Sequence, residues 1–236
     1  MIRSEQVTNL LLGVIVVLLG ILVFRPTLLR LTERSEPRFA ERTFSEWQRY
    51  LRDLSPGVRQ RAVEALGYFG ATAVPVLIET VKNEAHPEVR ASAATALAGL
   101  GPAAKEAEPV LIEASKAAEP RVRATALVAL GKVGPEVKEV VPALIEALRD
   151  TEPGVRVAAV ETLGTLGVQA KDSVSELIER LGDSNRSVQQ ATFRALGSLG
   201  PVAADAVPEL RRIAEADELK ALRPWAEEAL AKIGGG

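Results

Sequence analysis

The chain has 236 residues, 47% of them hydrophobic and 25% charged, which is enough for one or two folded domains and too apolar for global disorder. No cysteine, one histidine and a lone initiator methionine exclude disulfide staples, thiolate nucleophiles, zinc-finger spacings and most haem ligation, so any metal chemistry would rest on carboxylates alone. A formal charge of -2 offers no basic excess for neutralising phosphates, and aromatic residues, at 4%, are equally scarce for stacking on bases.

After a six-residue tail carrying Arg3 and Glu5, Val7 to Phe24 reads VTNLLLGVIVVLLGILVF, 18 positions without a charge. A helix of that length measures about 27 Å, close to the roughly 30 Å hydrocarbon core, so residues 7–24 are expected to cross a bilayer once. A cleaved signal peptide, the competing reading, wants a cationic start, a shorter apolar run and small residues at the cut. Here the run exits into Phe24-Arg25-Pro26-Thr27, with no such site. Arg25, Arg30, Arg34, Arg38 and Arg42 flank one side of the span and Arg3 with the α-amine the other. That bias puts the C-terminal part on the cytoplasmic side, the periplasmic side being the alternative. Asn9, Gly13 and Gly20 fall on one face of the span, where small residues let a second helix approach and would support self-association, although glycine is common in membrane helices generally.

Residues 25–42 form a basic joint in which Leu28, Leu29 and Leu31 interrupt the arginines, as in an interfacial helix or an ordinary solvated linker. From 25 through 61, nine arginines face five carboxylates, a net of +4; residues 1–24 sum to zero, so 62–236 carry -6. Thr43-Phe44-Ser45-Glu46 reads as a capping box. It opens a leading helix with Phe44, Trp47, Leu51 and Leu54 on one face, expected to cover the first repeat.

From there the chain repeats itself. The valine opening V-R-x-x-A-x-x-A-L-G falls at Val58, Val89, Val122, Val155 and Val188, and the leucine eight places on at Leu66, Leu97, Leu130, Leu163 and Leu196, with Leu230 as a sixth. A second phrase, V-P-x-L-I-E in full form, comes after each first one, its proline at Pro75, Pro109, Pro142 and Pro208 and replaced by Ser175 in the fourth copy. Val58, Ala62, Ala65, Leu66 and Phe69 recur at helical spacing until Gly70 breaks the pattern, and Val74, Leu77, Ile78 and Val81 make a second stripe. Pro56, Pro87, Pro120 and Pro153 suit a first helical turn. With no alternating stretch to make a sheet, residues 43–233 are expected to be an all-α solenoid of about five helical hairpins. A half-repeat from Leu219 to Ile233 closes it, and 234–236 form a frayed tail.

These two phrases resemble HEAT repeats, particularly the short bacterial form also found in phycobilisome lyases, over about residues 44 to 233. The T-P-L-H opening of ankyrin repeats and the Trp, Gly, Tyr pattern of tetratricopeptide repeats are absent. The resemblance implies a ladder in which Arg59, Arg90, Arg123 and Arg156 bond carboxylates six positions earlier. Asp53, Glu84 and Asp150 hold that slot, as does Asp183 in the fifth copy. Ala117 in the third copy and Gln189 in the fifth leave two rungs incomplete. It also implies a concave surface lined by the second helices, where Glu79, Glu113, Glu146 and Glu179, followed by Arg212, would form a docking column facing outward, able to steer a basic partner. A solvated glutamate chosen for helix propensity is the alternative.

Nothing here reads as an enzyme. His86 stands alone before Pro87, too few for the paired His-Glu motifs of HEAT-like di-iron hydroxylases. No nucleophile elbow, P-loop or dinucleotide fingerprint appears, and no cofactor or small-molecule substrate is implied. HEAT-like DNA glycosylases use basic surfaces, which the -6 beyond residue 61 argues against. The expectation is a membrane-tethered, protein-binding scaffold, an accessory subunit or assembly factor of a membrane complex. A chromophore (bilin) lyase-like or chaperone-like subunit and a self-associating adaptor are the alternatives.

Overall fold

The computed structural model describes residues 36–134 and 137–234. The apolar segment 7–24, its Asn9, Gly13 and Gly20, and the joint as far as residue 35 lie outside them. Among the described residues no helix is long and apolar enough to cross a membrane. The chain divides after Phe44.

Before that division stands a feature the sequence pattern did not announce. Strands β1 (Arg38–Phe39) and β2 (Arg42–Thr43) pair antiparallel, joined by Ala40 and Glu41, both at positive φ (49° and 66°). Such a two-residue turn usually recruits Asn or Gly, so no signal marked it. The end of the expected linker is therefore a minimal hairpin.

Helix α1 (Phe44–Tyr50) starts directly after Thr43 but runs only seven residues. Pro56 holds Ser55 extended and Asp53 Oδ1 accepts from the Ser55 N–H at 2.8 Å, so the chain turns before a longer helix can form. Leu54, expected on the covering face, is 98% exposed, and Val58 is only half-buried.

The five units then come as helix pairs: α2 (Pro56–Gly67) with α3 (Val74–Asn83), α4 (Pro87–Leu100) with α5 (Glu108–Ala114), α6 (Pro120–Leu130) with α7 (Val137–Ala147), α8 (Pro153–Leu166) with α9 (Val174–Arg180), and α10 (Arg186–Leu199) with α11 (Val207–Glu215). Helix α12 (Arg223–Gly234) is the closing half-unit. Proline opens four of the first helices, where its missing N–H leaves no bond unmade. The fifth uses Asn185 instead, whose side-chain oxygen accepts from the N–H groups of Ser187 and Val188 at 2.9 and 3.4 Å. Replacing Asn185 by Ala should therefore lower stability by about 1 kcal/mol, read as a lower urea midpoint with unchanged slope.

One glycine per unit, twelve places after the opening valine, makes the turn between the paired helices: Gly70, Gly101, Gly134, Gly167 and Gly200 all lie at positive φ, between 56° and 79°. A Cβ is strained in that conformation. Short 3-10 segments occupy Gly70–Ala73, Gly101–Ala107, Gly167–Ser173 and Gly200–Ala206, so the connection is a tight coil rather than a simple bend. In the third unit α7 begins early and Pro142 stands inside it, unlike Pro75, Pro109 and Pro208, which occupy first turns.

The core is the recurrent leucine. Leu66, Leu97, Leu130, Leu163 and Leu196 are wholly buried, as are Leu77, Leu111, Leu144, Leu177 and Leu210 of the second helices. Leu230, in the last described helix, is half-buried. Phe193 packs against Trp225 of α12 at 6.1 Å between ring centres, and the Arg186 guanidinium sits 5.0 Å over the Trp225 ring. That aromatic contact ties the half-unit to the stack.

The two rows of helices differ in spacing. First helices pack directly on one another along the series α2, α4, α6, α8, α10, α12, while consecutive second helices touch far less. Small residues permit the close row: a Cβ on Gly67 would meet that of Ala96 at 3.3 Å, and one on Gly164 would meet Ala195 Cα at 3.1 Å. A rod bends toward its tighter row, so the first helices line the inner face. The resemblance implied the second helices there.

Candidate functional site

Each repeated arginine enters the junction between two units from the first turn of a first helix. Arg59 donates through Nε and Nη2 to both oxygens of Glu84 (2.9 and 2.8 Å), Arg123 to Asp150 (2.7 and 2.8 Å), and Arg156 to Asp183 (2.8 and 2.7 Å). The carboxylate lies one unit ahead, not six positions back. What lies six positions back is a backbone carbonyl, which accepts from Nη1: Asp53 for Arg59 (2.8 Å), Ala117 for Arg123 (3.0 Å) and Asp150 for Arg156 (2.8 Å). The expected slot was right and the expected group wrong, because a main-chain acceptor needs no particular side chain. The Ala117 junction keeps its backbone contact for that reason.

The carboxylates serve a second donor each. Glu84, Asp150 and Asp183 accept from the N–H two residues on, of His86, Glu152 and Asn185, at 2.9, 2.9 and 2.8 Å. Each rung thus fixes both the neighbouring unit and the turn that launches its first helix. The hydrogen bonds from Arg59, helped by the His86 N–H, hold Glu84 below the usual carboxylate range against the opposing effect of burial. For Asp150 and Asp183 burial pushes upward, but the arginine and backbone donors outweigh it and leave both carboxyls lowered. Bidentate pairs so deeply placed read as architecture.

Two ladder positions differ. Arg90 meets Glu119 through Nη2 alone, since Ala117 leaves no carboxylate in the slot. Arg223, missed in the sequence, is a further ladder arginine: it directly succeeds Leu222, eight places before Leu230. With no further unit among the described residues, Arg223 turns back to Asp217 at 3.7 Å and to the Ala214 carbonyl at 2.6 Å. Six-back pairing holds only at this end, among the described residues.

The glutamate column is placed as separate surface charges on the outer row. Glu79, Glu113, Glu146, Glu179 and Arg212 are all exposed. Glu79 accepts from Asn83 at 2.6 Å, Glu146 pairs with Lys116 at 3.2 Å, Glu179 with Arg180 at 3.4 Å, and Arg212 with Glu209 at 2.8 Å. Beside them Ile78, expected on the apolar stripe, and its counterparts Ile112, Ile145 and Ile178 are half-exposed, so the outer row carries an apolar seam along its acids.

The inner row presents a different column. Glu64, Thr95, Val128, Glu161 and Arg194, one per unit, are exposed on successive first helices. Arg194 reaches Glu161 across a junction at 3.4 Å. Clefts open between these helices, one of about 620 Å³ walled by Gln60, Tyr68, Thr95 and Arg121, another of about 280 Å³ walled by Gly164, Thr165, Arg194 and Ser198. Their walls are small, mixed in charge and shallow, suited to an extended chain and unsuited to enclosing a substrate. Among the described residues no three His, Cys, Asp or Glu side chains are grouped to hold a metal ion. His86 is half-buried in its turn, more enclosed than an exposed loop residue.

The sequence profile described as HEAT repeats matches residues 46–107, 74–154, 107–174 and 141–231. No curated protein matches. Among solved structures, the chain is similar to an engineered protein (21% identity, TM-score 0.60, covering 81% of this chain and 96% of that one). It is similar to a designed armadillo repeat protein in complex with the peptide (KR)4 (16% identity, TM-score 0.59, covering 80% and 99%). The complex of CpcE and CpcF of phycocyanin lyase from Nostoc sp. PCC7120 is a third (25% identity, TM-score 0.59, covering 86% and 80%). The helix pairs, their fixed period and the profile match over most of the chain agree: this protein belongs to the HEAT repeat family.

Proposed function

We propose that the chain is a protein-binding scaffold, tethered to a membrane by residues 7–24 with its solenoid on the cytoplasmic side, serving as an accessory subunit or assembly factor of a membrane complex. The observation that carries the protein-binding part is the inner column, Glu64, Thr95, Val128, Glu161 and Arg194, set at one exposed side chain per unit over open clefts. A periodic face of mixed chemistry suits an extended polypeptide, and the armadillo neighbour holding a peptide supports that use of the architecture. Tethering supports it further, because confinement near membrane partners raises effective concentration without tight intrinsic affinity. Three of the four column glutamates are already engaged by neighbours, which makes the outer row the weaker docking face.

Photo-crosslinking residues placed singly at Thr95, Thr165, Glu79 and Glu113 in native membranes test both faces. Capture of one and the same membrane protein from Thr95 and Thr165 alone is expected; capture from the glutamate positions alone would move docking to the outer row, and no capture from either would end the proposal. Deleting residues 7–24 should move the chain from the membrane pellet to the supernatant. The likeness to the CpcE and CpcF complex favours a second reading, a lyase-like or chaperone-like subunit paired with another repeat chain. A bilin-type absorbance band retained through purification would favour it.

A further inference from the structure

The arginine ladder contains one rung that the chain does not complete. Where Glu84, Asp150 and Asp183 stand at the other junctions, the junction between α4 and α6 has Ala117, and the Nε–Nη2 edge of Arg90 meets no two-oxygen acceptor. Glu119, two residues further on, reaches Nη2 with a single oxygen, and Arg90 Nε is buried with no hydrogen-bond partner. At complete rungs one carboxylate takes three donors: Nε, Nη2 and the N–H two residues on. Here that third donor is the N–H of Glu119 itself, facing a slot without a carboxylate. A cleft of about 440 Å³ opens at this place, walled by Lys82, Arg90, Val110, Lys116, Ala117 and Val122. A buried Nε–H left without an acceptor costs free energy even though the Glu119 pair balances the charge, and an incoming two-oxygen acceptor removes that cost.

We propose that this cleft is a carboxylate-binding site in which an Asp side chain of a protein partner occupies the space beside Ala117 and completes the Arg90 rung. The site is a consequence of the ladder; only the source of the carboxylate rests on the protein-binding reading above. Glu119 is the gate. Its side chain is 39% exposed against 21% for Arg90, while its backbone carbonyl is fixed by the N–H groups of Val122 and Arg123 at 3.0 and 3.2 Å. The carboxylate can therefore swing outward and expose the guanidinium edge without moving the turn. With Glu119 swung outward, Lys82, Lys116 and Arg90 outnumber Glu113 and the Glu146 that pairs with Lys116, a local balance that attracts an anion.

The test uses the full chain in a neutral detergent with ¹⁵N-labelled arginine, following Nε–Hε resonances on titration with acetate, with acetyl-Gly-Asp-Gly-amide and with its Asn counterpart. Arg90 should move downfield and saturate with acetate and with the Asp peptide, the peptide saturating at about tenfold lower concentration, while the Asn peptide has no effect. Arg123 and Arg156, already paired, should stay in place. Ala117→Asp should place the Arg90 resonance at its paired position without any additive, abolish the response and raise Tm. An Arg90 resonance unmoved by acetate and peptide, or one that still responds in Ala117→Asp, would overturn the site. Equal saturation by acetate and peptide would overturn the protein origin of the carboxylate while leaving protein binding elsewhere on the solenoid intact.

Discussion

Replacing Asp183 by alanine is expected to lower the stability of the solenoid by about 3–5 kcal/mol, the cost of leaving a buried charge without its partner. The Arg156 and Asp183 side chains are 9% and 3% exposed, so water cannot replace the lost acceptor. The same carboxylate also holds the Asn185 N–H, and with it the start of α10. Adding Arg156→Met to this variant should recover part of the loss by removing the stranded cation, though the Asp150 and Thr151 carbonyls then lose their donor. Urea denaturation followed by circular dichroism gives the loss, and hydrogen exchange should show the units beyond Asp183 opening first, as expected of a nearest-neighbour array. Acid should act on all three complete rungs together. Glu84, Asp150 and Asp183 are lowered in the folded chain, so their contribution is fully present above the unfolded carboxyl range near pH 4 and is lost as pH falls through the lower folded values. In the Asp183→Ala variant that acid-dependent component should shrink by one rung.

Gly164→Val should cost about 3 kcal/mol, at the upper end for overpacking. A Cβ at this position would lie 3.1 Å from both Cα and Cβ of Ala195, so the added atoms press on the backbone of α10 and not on a side chain that can rotate away. Separating α8 from α10 would open the tight inner row between the fourth and fifth units. Gly99 supplies the opposite control: it lies in α4 with nothing within 4 Å of a built Cβ and no positive φ. Gly99→Ala should therefore raise stability by about 0.5–1 kcal/mol through helix propensity alone. Opposite signs for two glycines of the same solenoid, read from urea midpoints, would separate packing from backbone entropy.

The helix pairs are legible in the sequence because their signal is local: periodic Val, Ala and Leu, proline at the starts and a glycine twelve places on. What fails is directional. Spacing along the chain places Asp53, Glu84 and Asp150 near the arginines after them. Only coordinates reveal that the guanidinium edge faces the next unit and takes a main-chain oxygen from its own. The isoleucines after Leu77, Leu111, Leu144 and Leu177 look like core by hydrophobicity, yet the wide outer row leaves them half-covered. Leu54 fits the stripe of a helix that Asp53 and Pro56 stop early. The hairpin at 38–43 turns through alanine and glutamate, residues with no preference for that backbone. The glutamates of the second helices are exposed, a consequence of the same periodicity that buries their leucines. Which row lines the inner face depends on spacing between units, a property no single stretch of sequence encodes.

Because every complete rung reaches forward, a middle segment such as residues 153–185 carries both partners of its own rung, the Arg156 donor and the Asp183 acceptor at the threshold of the next unit. A tandem copy of that stretch would join seamlessly to itself, so gene duplication can lengthen such an array without inventing any new contact. Growth at the far end follows the same rule: Arg223 stands in the donor's place for a unit appended after α12, whereas Gln189 leaves the junction before that helix without a rung.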